Sequence, residues 1–221
     1  MEFVTQSHRY AEIIFEMNEN MRELWNQVKE VLKNITDQDI IDEFLTQPRA
    51  AKSISEAINK LIKERMVARG WESESYIFSD PKYQSSHGKE KGLWRLDFAK
   101  RDISVEVAFN HRSDCSWNLI KPVLASELNH VAKAIQTKAG IIICATDEMK
   151  NAGGFDSAVG TYETYLTYLE PMNNILTAPL LIVGLNAPKT FKIIKRKASD
   201  SKTIGDVRML ETGKILTRKD N

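Results

Sequence analysis

Residues 97–109 read DFAKRDISVEVAF. From Ile103 to Phe109 the apolar side chains Ile103, Val105, Val107 and Phe109 alternate with Ser104, Glu106 and Ala108. A period of two marks a strand with one buried face. It sets Glu106 opposite Val105 and Val107, on the face shared by Ser104, Ala108 and Asn110. Leu93 to Phe98 is a second strand, separated from the first by the AKRD turn. If the two pair antiparallel, Asp97 and Glu106 meet at the same end of a sheet. Two carboxylates so placed repel unless a proton or a cation lies between them. Hard oxygen ligands with room for water suit Mg²⁺, which polarises a phosphate and lowers the pKa of an attacking water. The same alternation also describes a half-exposed strand whose acids face only solvent.

Working outward, GIIICAT (140–146) and PLLIVGL (179–185) are continuous apolar runs, as expected of strands covered on both faces. Residues 117–136 read as a long amphipathic helix with Pro122 near its start, and 161–169 as another helix. The order β–β–α–β–α–β predicts an α/β fold with a mixed central sheet flanked by helices. Upstream, Ile13, Ile14, Met17, Met21, Leu24, Trp25, Val28, Val31 and Leu32 recur at helical spacing through 10–32. A short helix at 40–45 follows, then one opening near Ser53 or Ser55 and stopping near Gly70. The segment 79–92 is rich in turn formers and reads as a loop. The expected organisation is a single domain, 1–221. It comprises a helical N-terminal part (1–70), an α/β core (71–186) and a basic C-terminal extension (187–221).

Composition supports a globular chain, with 42% hydrophobic and 28% charged residues. No apolar run approaches the ~18 residues of a membrane span. The N-terminus lacks the pattern of a secretory signal, so the expected location is the cytoplasm. Cys115 and Cys144 are too few for a disulfide framework or a zinc site. His8, His87 and His130 show no metal spacing, His130 being read as a packing or capping residue on the 117–136 helix. The four Trp residues are read as core or interface anchors. The net charge of +1 hides an asymmetry. Residues 189–221 carry ten Lys/Arg against four acids, a net of +6, which leaves −5 for the rest. A basic segment of this kind follows phosphates or is simply solvated.

The tract DFAKRDISVEVAF resembles the active-site hairpin of the BglII-type restriction endonucleases, related to the BamHI group within the PD-(D/E)xK nuclease superfamily. That hairpin reads much like D-F-x-K-R-D-x-x-V-E-V-x-F. The likeness extends in order through SEL at 126–128, GIIICAT and PLLIVGL, over roughly residues 60–186. It implies a restriction-endonuclease-like fold, with 71–186 as the catalytic core. The implied activity is a type II restriction endonuclease. It would use Mg²⁺ to hydrolyse both strands of a short palindromic duplex DNA site, in this family often centred on GATC.

Carried over position by position, the resemblance makes Asp97 and Glu106 the catalytic metal ligands. It places at 108 a Lys in the wider fold, or Gln or Glu in nearer relatives. Ala108 departs from all of these. Either water completes the metal shell or a nearby group substitutes, Lys100 and His111 being the candidates, and Glu72 or Glu74 falls where another active-site polar group is found. Asn110, His111 and Arg112 would enter the major groove, where Asn suits adenine and Arg suits guanine. In the loop 151–163, Asp156 and Ser157 match further base-contacting positions, whereas Thr161 reads as a helix cap. Reading a palindrome implies a homodimer, formed through the N-terminal helices or the 117–136 helix, with a cognate DNA methyltransferase in the same system. Two other readings remain at this point. One is a catalytically inactive, sequence-specific DNA-binding protein on the same scaffold, favoured by Ala108. The other is a structure-selective or repair nuclease.

Overall fold

The structure, a computed structural model, describes residues 1–47, 51–84, 94–127, 130–199 and 202–218. Its six-stranded mixed sheet comprises β1 (Phe3–His8), β2 (Glu72–Tyr76), β3 (Arg95–Lys100), β4 (Asp102–Val107), β5 (Thr137–Ala145) and β6 (Leu180–Leu185). Their spatial order is β1-β6-β5-β4-β3-β2. β4, β5 and β6 run parallel, while β1, β3 and β2 join antiparallel at the flanks.

Alternation within the central strands divides the core. Val105, Ile141, Ile143, Leu181 and Val183 pack on one face against helices α1 (Ala11–Met17), α2 (Glu19–Lys33), α3 (Asp37–Thr46) and α4 (Ser55–Val67). Ala108, Ile142, Cys144, Leu180 and Ile182 pack on the other against α5 (Cys115–Ser126) and α7 (Tyr162–Leu169), the short α6 (Asp147–Ala152) falling between them along the chain. A period-two side-chain pattern buried on both faces produces this three-layer arrangement. Each fully buried Ile or Leu contributes about 1.5–3 kcal/mol.

Several local features differ from the sequence reading. The segment 10–32 is two helices, because Asn18 adopts extended backbone and its side chain caps α2 by accepting from Met21 N at 3.0 Å. The N-terminal part also holds β1, an edge strand whose polar sequence hides its role; its partner β6 supplies the register. β2 was likewise unmarked by hydrophobicity. Helix α4 begins after Ile54 with no side-chain cap, the Ser53 and Ser55 hydroxyls bonding each other instead. The 79–84 part of the expected loop contains a short 3-10 turn (Pro81–Tyr83), and 85–93 lies outside the described residues, as does His87.

The helix expected over 117–136 ends at Ser126. Beyond it, Ser79 N donates to Ala132 O and Ala134 N to Ile77 O, so extended pairing with 77–79 replaces the helix. His130 is therefore an exposed residue past the helix end, neither packing nor capping there. Trp94 stacks edge-on with Trp117 and beside Phe78 and Tyr83, while Trp25 and Trp71 are buried. The basic C-terminus is structured as well. β7 (Phe191–Ser199), β8 (Lys202–Met209) and β9 (Ile215–Leu216) form a second sheet. It is anchored by buried Phe191 and Val207, by the ion pair of buried Asp206 with the exposed Arg196 and by Gly205 N donating to Ala51 O.

Helix α5 lies unusually close to the sheet. A Cβ at Gly140 of β5 would stand 2.9 Å from Pro122 Cγ and 3.0 Å from Leu180 Cδ2. Pro122 sits in the helix interior rather than near its start, so it removes the bond to the Asn118 carbonyl while its ring fills the groove over Gly140. Replacing Gly140 by Val should force α5 outward and cost about 1–3 kcal/mol, the range for overpacked cores. Urea denaturation followed by circular dichroism measures this.

Candidate active site

The ladder between β3 and β4 runs through Lys100–Ile103, Ala99–Ser104 and Phe98–Val105. At the next position the strands part. There the Asp97 carboxylate, rather than a backbone carbonyl, accepts from Val107 N at 2.7 Å. This places Asp97 opposite Glu106 at the rim of the sheet, on the face covered by α5. The sequence expectation that the two acids meet is realised in this geometry. Asp97 is partly exposed, whereas Glu106 is only 1% exposed.

The two carboxyls perturb one another. Burial raises the Asp97 pKa, with the positive charge of Lys121 and the Val107 amide opposing the rise. Glu106 is pushed up to about 8, first by burial and then by the negative charge of Asp97, with Lys121 again opposing. Lys121, on α5, pairs with Glu106 Oε2 and is itself 9% exposed. Glu106 Oε1 is buried with no hydrogen-bond partner among the described residues. Lys121 was missed by the sequence reading. The only signal was a lysine among apolar residues, NLIKPVL, which a helix-period reading treats as surface.

Glu74 lies on β2 between the Ser73–Phe98 and Ser75–Leu96 pairs, facing Asp97, with a left-handed φ of 54°. Its carboxylate is exposed and 3.6 Å from Lys63. Such a conformation is uncommon for a non-glycine residue and concentrates at functional sites. Glu72 is exposed one pleat away.

Lys100 is not brought to the acid pair. It stands three residues from Asp97, and an odd separation on a strand reverses the face. Its ammonium donates to Arg69 O at 2.7 Å and Gln27 at 3.3 Å, under the N-terminal helices. His111 lies in the loop after β4, exposed and paired by backbone with Val159. Ala108 is 2% exposed among Cys115, Leu119 and Val123, packed within the core.

The two predicted reading loops form one surface. Arg112 N donates to Ala158 O at 2.8 Å and Gly160 N to Asn110 O at 3.1 Å, so 110–112 and 156–160 are stitched together. Asn110, His111, Arg112, Asp156 and Ser157 are all exposed on it. The Asn110 side-chain oxygen accepts from Asn118, which also donates to Tyr165, fixing the loop to α5 and α7. Asp156 is held below its ordinary pKa mainly by the Ala158 amide that its carboxylate accepts. Thr161 caps α7 as expected, accepting from Thr164 N. Gly160 owes its place to packing, since a Cβ would press on Cys115 Sγ and stand 3.3 Å from Arg112 Cα.

The residues present fit a hard cation. Among the described residues no group of three or more His, Cys, Asp or Glu side chains forms a metal site. The pair of adjacent carboxylates with one unsatisfied buried oxygen is nevertheless the donor set that a largely hydrated divalent ion takes.

The family model of restriction endonuclease BglII/BglIII matches residues 3–185, and the chain belongs to that family, a type II site-specific deoxyribonuclease. In structure it is similar to restriction endonuclease BglII complexed with a DNA 16-mer, with a TM-score of 0.62 at 19% identity, covering 94% of this chain and 92% of that one. It is also similar to free BglII, with a TM-score of 0.52 at 18% identity, covering 98% and 100%. No curated protein matches the chain. The family match stops before β7, so the second sheet lies beyond it. No helix among the described residues is long and apolar enough to cross a membrane.

Because the folded protein raises the Glu106 pKa from 4.5 to about 8, the native state holds a proton that the unfolded chain releases between those values. The stability it contributes is present in full below pH 4.5 and is lost as pH rises toward 8. Metal-free Glu106→Gln should therefore lose less stability than the parent between pH 5.5 and 8.5, measured by urea midpoints at both pH values.

Proposed function

We propose that this endonuclease hydrolyses both strands of duplex DNA at a short palindromic site, using Mg²⁺ held by Asp97 and Glu106. The supporting observation is the juxtaposition of the two acids where β3 and β4 part, with Glu106 Oε1 buried and unpartnered among the described residues. When bound there, the ion would polarise the scissile phosphate and lower the pKa of the attacking water. The chain's own part is positional. The Val107 amide orients Asp97, and the sheet rim holds both carboxylates toward an incoming backbone. Water adds to phosphorus as the bond to the leaving oxygen breaks.

Sequence is read by the stitched loops. Arg112 suits guanine O6/N7, Asn110 suits adenine, and Asp156 accepts from cytosine N4, with His111 and Ser157 beside them. The exposed Lys192, Arg196 and Lys197 of β7 supply sequence-independent phosphate contacts. Two copies related by a two-fold axis match a palindrome with one active site per strand. A GATC-centred site, a cytoplasmic location and a partner methyltransferase that protects host DNA complete the reading. The silent DNA-binding alternative is favoured by Ala108, whereas two retained, neighbouring acids weigh against it.

Incubating plasmid DNA with the protein and Mg²⁺ should give discrete bands whose mapped ends report one site and its stagger. Binding without cutting under every divalent ion would select the silent module, and cleavage governed by DNA structure would select a repair nuclease. Glu106→Ala should lower the cleavage rate about a thousandfold or more, on the order of 4 kcal/mol of barrier, while specific binding in a gel-shift assay persists. Arg112→Ala should cost about 1–3 kcal/mol of specific affinity and relax discrimination at one base pair, read by binding to single-substitution sites.

A further inference from the structure

We propose that Lys121 is the third active-site residue, delivering from helix α5 the cationic group that Ala108 cannot supply from the strand. The inference rests on the nuclease reading above and deepens it.

Four observations converge. First, the Lys121 ammonium pairs with Glu106 Oε2 and is close enough to Asp97 to act on its charge, so it stands at the acid pair itself. Second, it is 9% exposed, and lysine is rarely buried so deeply without a specific partner. Third, its donors are not exhausted. An ammonium carries three N–H groups, and among the described residues Glu106 is its one hydrogen-bond partner. Two remain for a phosphate oxygen and the attacking water. Fourth, among the described residues Lys100 donates to Arg69 O, Lys63 pairs with Glu74, and Arg95 donates to the Tyr76 hydroxyl and stacks on its ring.

The packing explains why the lysine comes from the helix. Position 108 is sealed among Cys115, Leu119 and Val123, so a long charged side chain rooted there would displace α5. The small Ala108 lets α5 approach β4, and Gly140 lets Pro122 settle against β5. Lys121, immediately before Pro122, is thereby aimed at the rim. Its four-carbon stem spans the gap between layers that a strand residue would not need to cross. A fixed ammonium at this point stabilises the charge that grows on the phosphate oxygens during in-line attack, a role that needs no reorganisation at the moment of reaction.

The test is Lys121→Met, which keeps length and removes charge, assayed beside the parent and Glu106→Gln. Three quantities are read: single-turnover cleavage at saturating protein, specific DNA affinity with Ca²⁺ in place of Mg²⁺, and Mn²⁺ binding by electron paramagnetic resonance. The expected result is a Lys121→Met variant at least a hundredfold slower in cleavage, with DNA affinity within threefold of the parent and Mn²⁺ bound at least as tightly. Glu106→Gln should lose Mn²⁺. Cleavage by Lys121→Met within threefold of the parent overturns the proposal, as does slow cleavage explained by lost Mn²⁺ in that variant. A parent that binds DNA but never cuts it overturns the nuclease reading and this inference together. If Lys121→Met does not fold, a crystal structure of the parent with uncleaved DNA and Ca²⁺ decides. Lys121 Nζ within hydrogen-bond distance of the scissile phosphate supports the assignment; a different cation there, with Nζ turned away, overturns it.

Discussion

A carboxylate buried at the rim of a sheet must be compensated, and Glu106 organises this molecule around that requirement. Its own strand offers no counter-charge, since Ala108 is apolar, and the neighbouring acid Asp97 on β3 adds repulsion. The positive charge comes from Lys121 on α5, and that contact in turn demands a helix lying close to the sheet. Small side chains at 108 and 140, and the ring of Pro122, create the closeness. Breaking one partner of such a pair leaves an isolated buried charge, so the pair, the helix and the strands form one cooperative unit.

The same helix ties the acid pair to the loop proposed to read bases. Asn118, one turn before Lys121, donates to Asn110 in the loop after β4 and to Tyr165 of α7. A displacement of α5 would therefore move the acid pair's counter-charge and the proposed base-reading loop together. Joining 110–112 to 156–160 through backbone bonds makes that surface rigid before DNA arrives, which lowers the ordering cost of binding.

Local pattern made the hairpin legible. Strict alternation in Ile103–Phe109 and the apolar runs around 141 and 182 located the three parallel strands, and the paired acids marked the candidate site. Strands with polar alternation were not legible. β1 and β2 carry Thr, Ser, Gln and Glu, and only pairing with β6 and β3 makes them strands. The second sheet was obscured because its apolar residues, Phe191 and Ile193 among them, lie between lysines that dominate the composition. The end of α5 was unreadable for the opposite reason. Residues 130–136 have good helix pattern, but pairing with 77–79 outcompetes it.

What the chain determined by itself is the spacing and chemistry of the acids at 97 and 106, because side-chain parity along a strand is a property of the backbone alone. Parity likewise put Lys100 on the wrong face, a point readable in principle from the three-residue separation. Which cation would meet Glu106 was decided only in three dimensions. Lys121 lies fifteen residues further on in an apolar helix, and it reaches the strand only because a glycine on a third element lets that helix come near. Contacts of this kind depend on the distance between layers, and no periodicity in one segment encodes that distance.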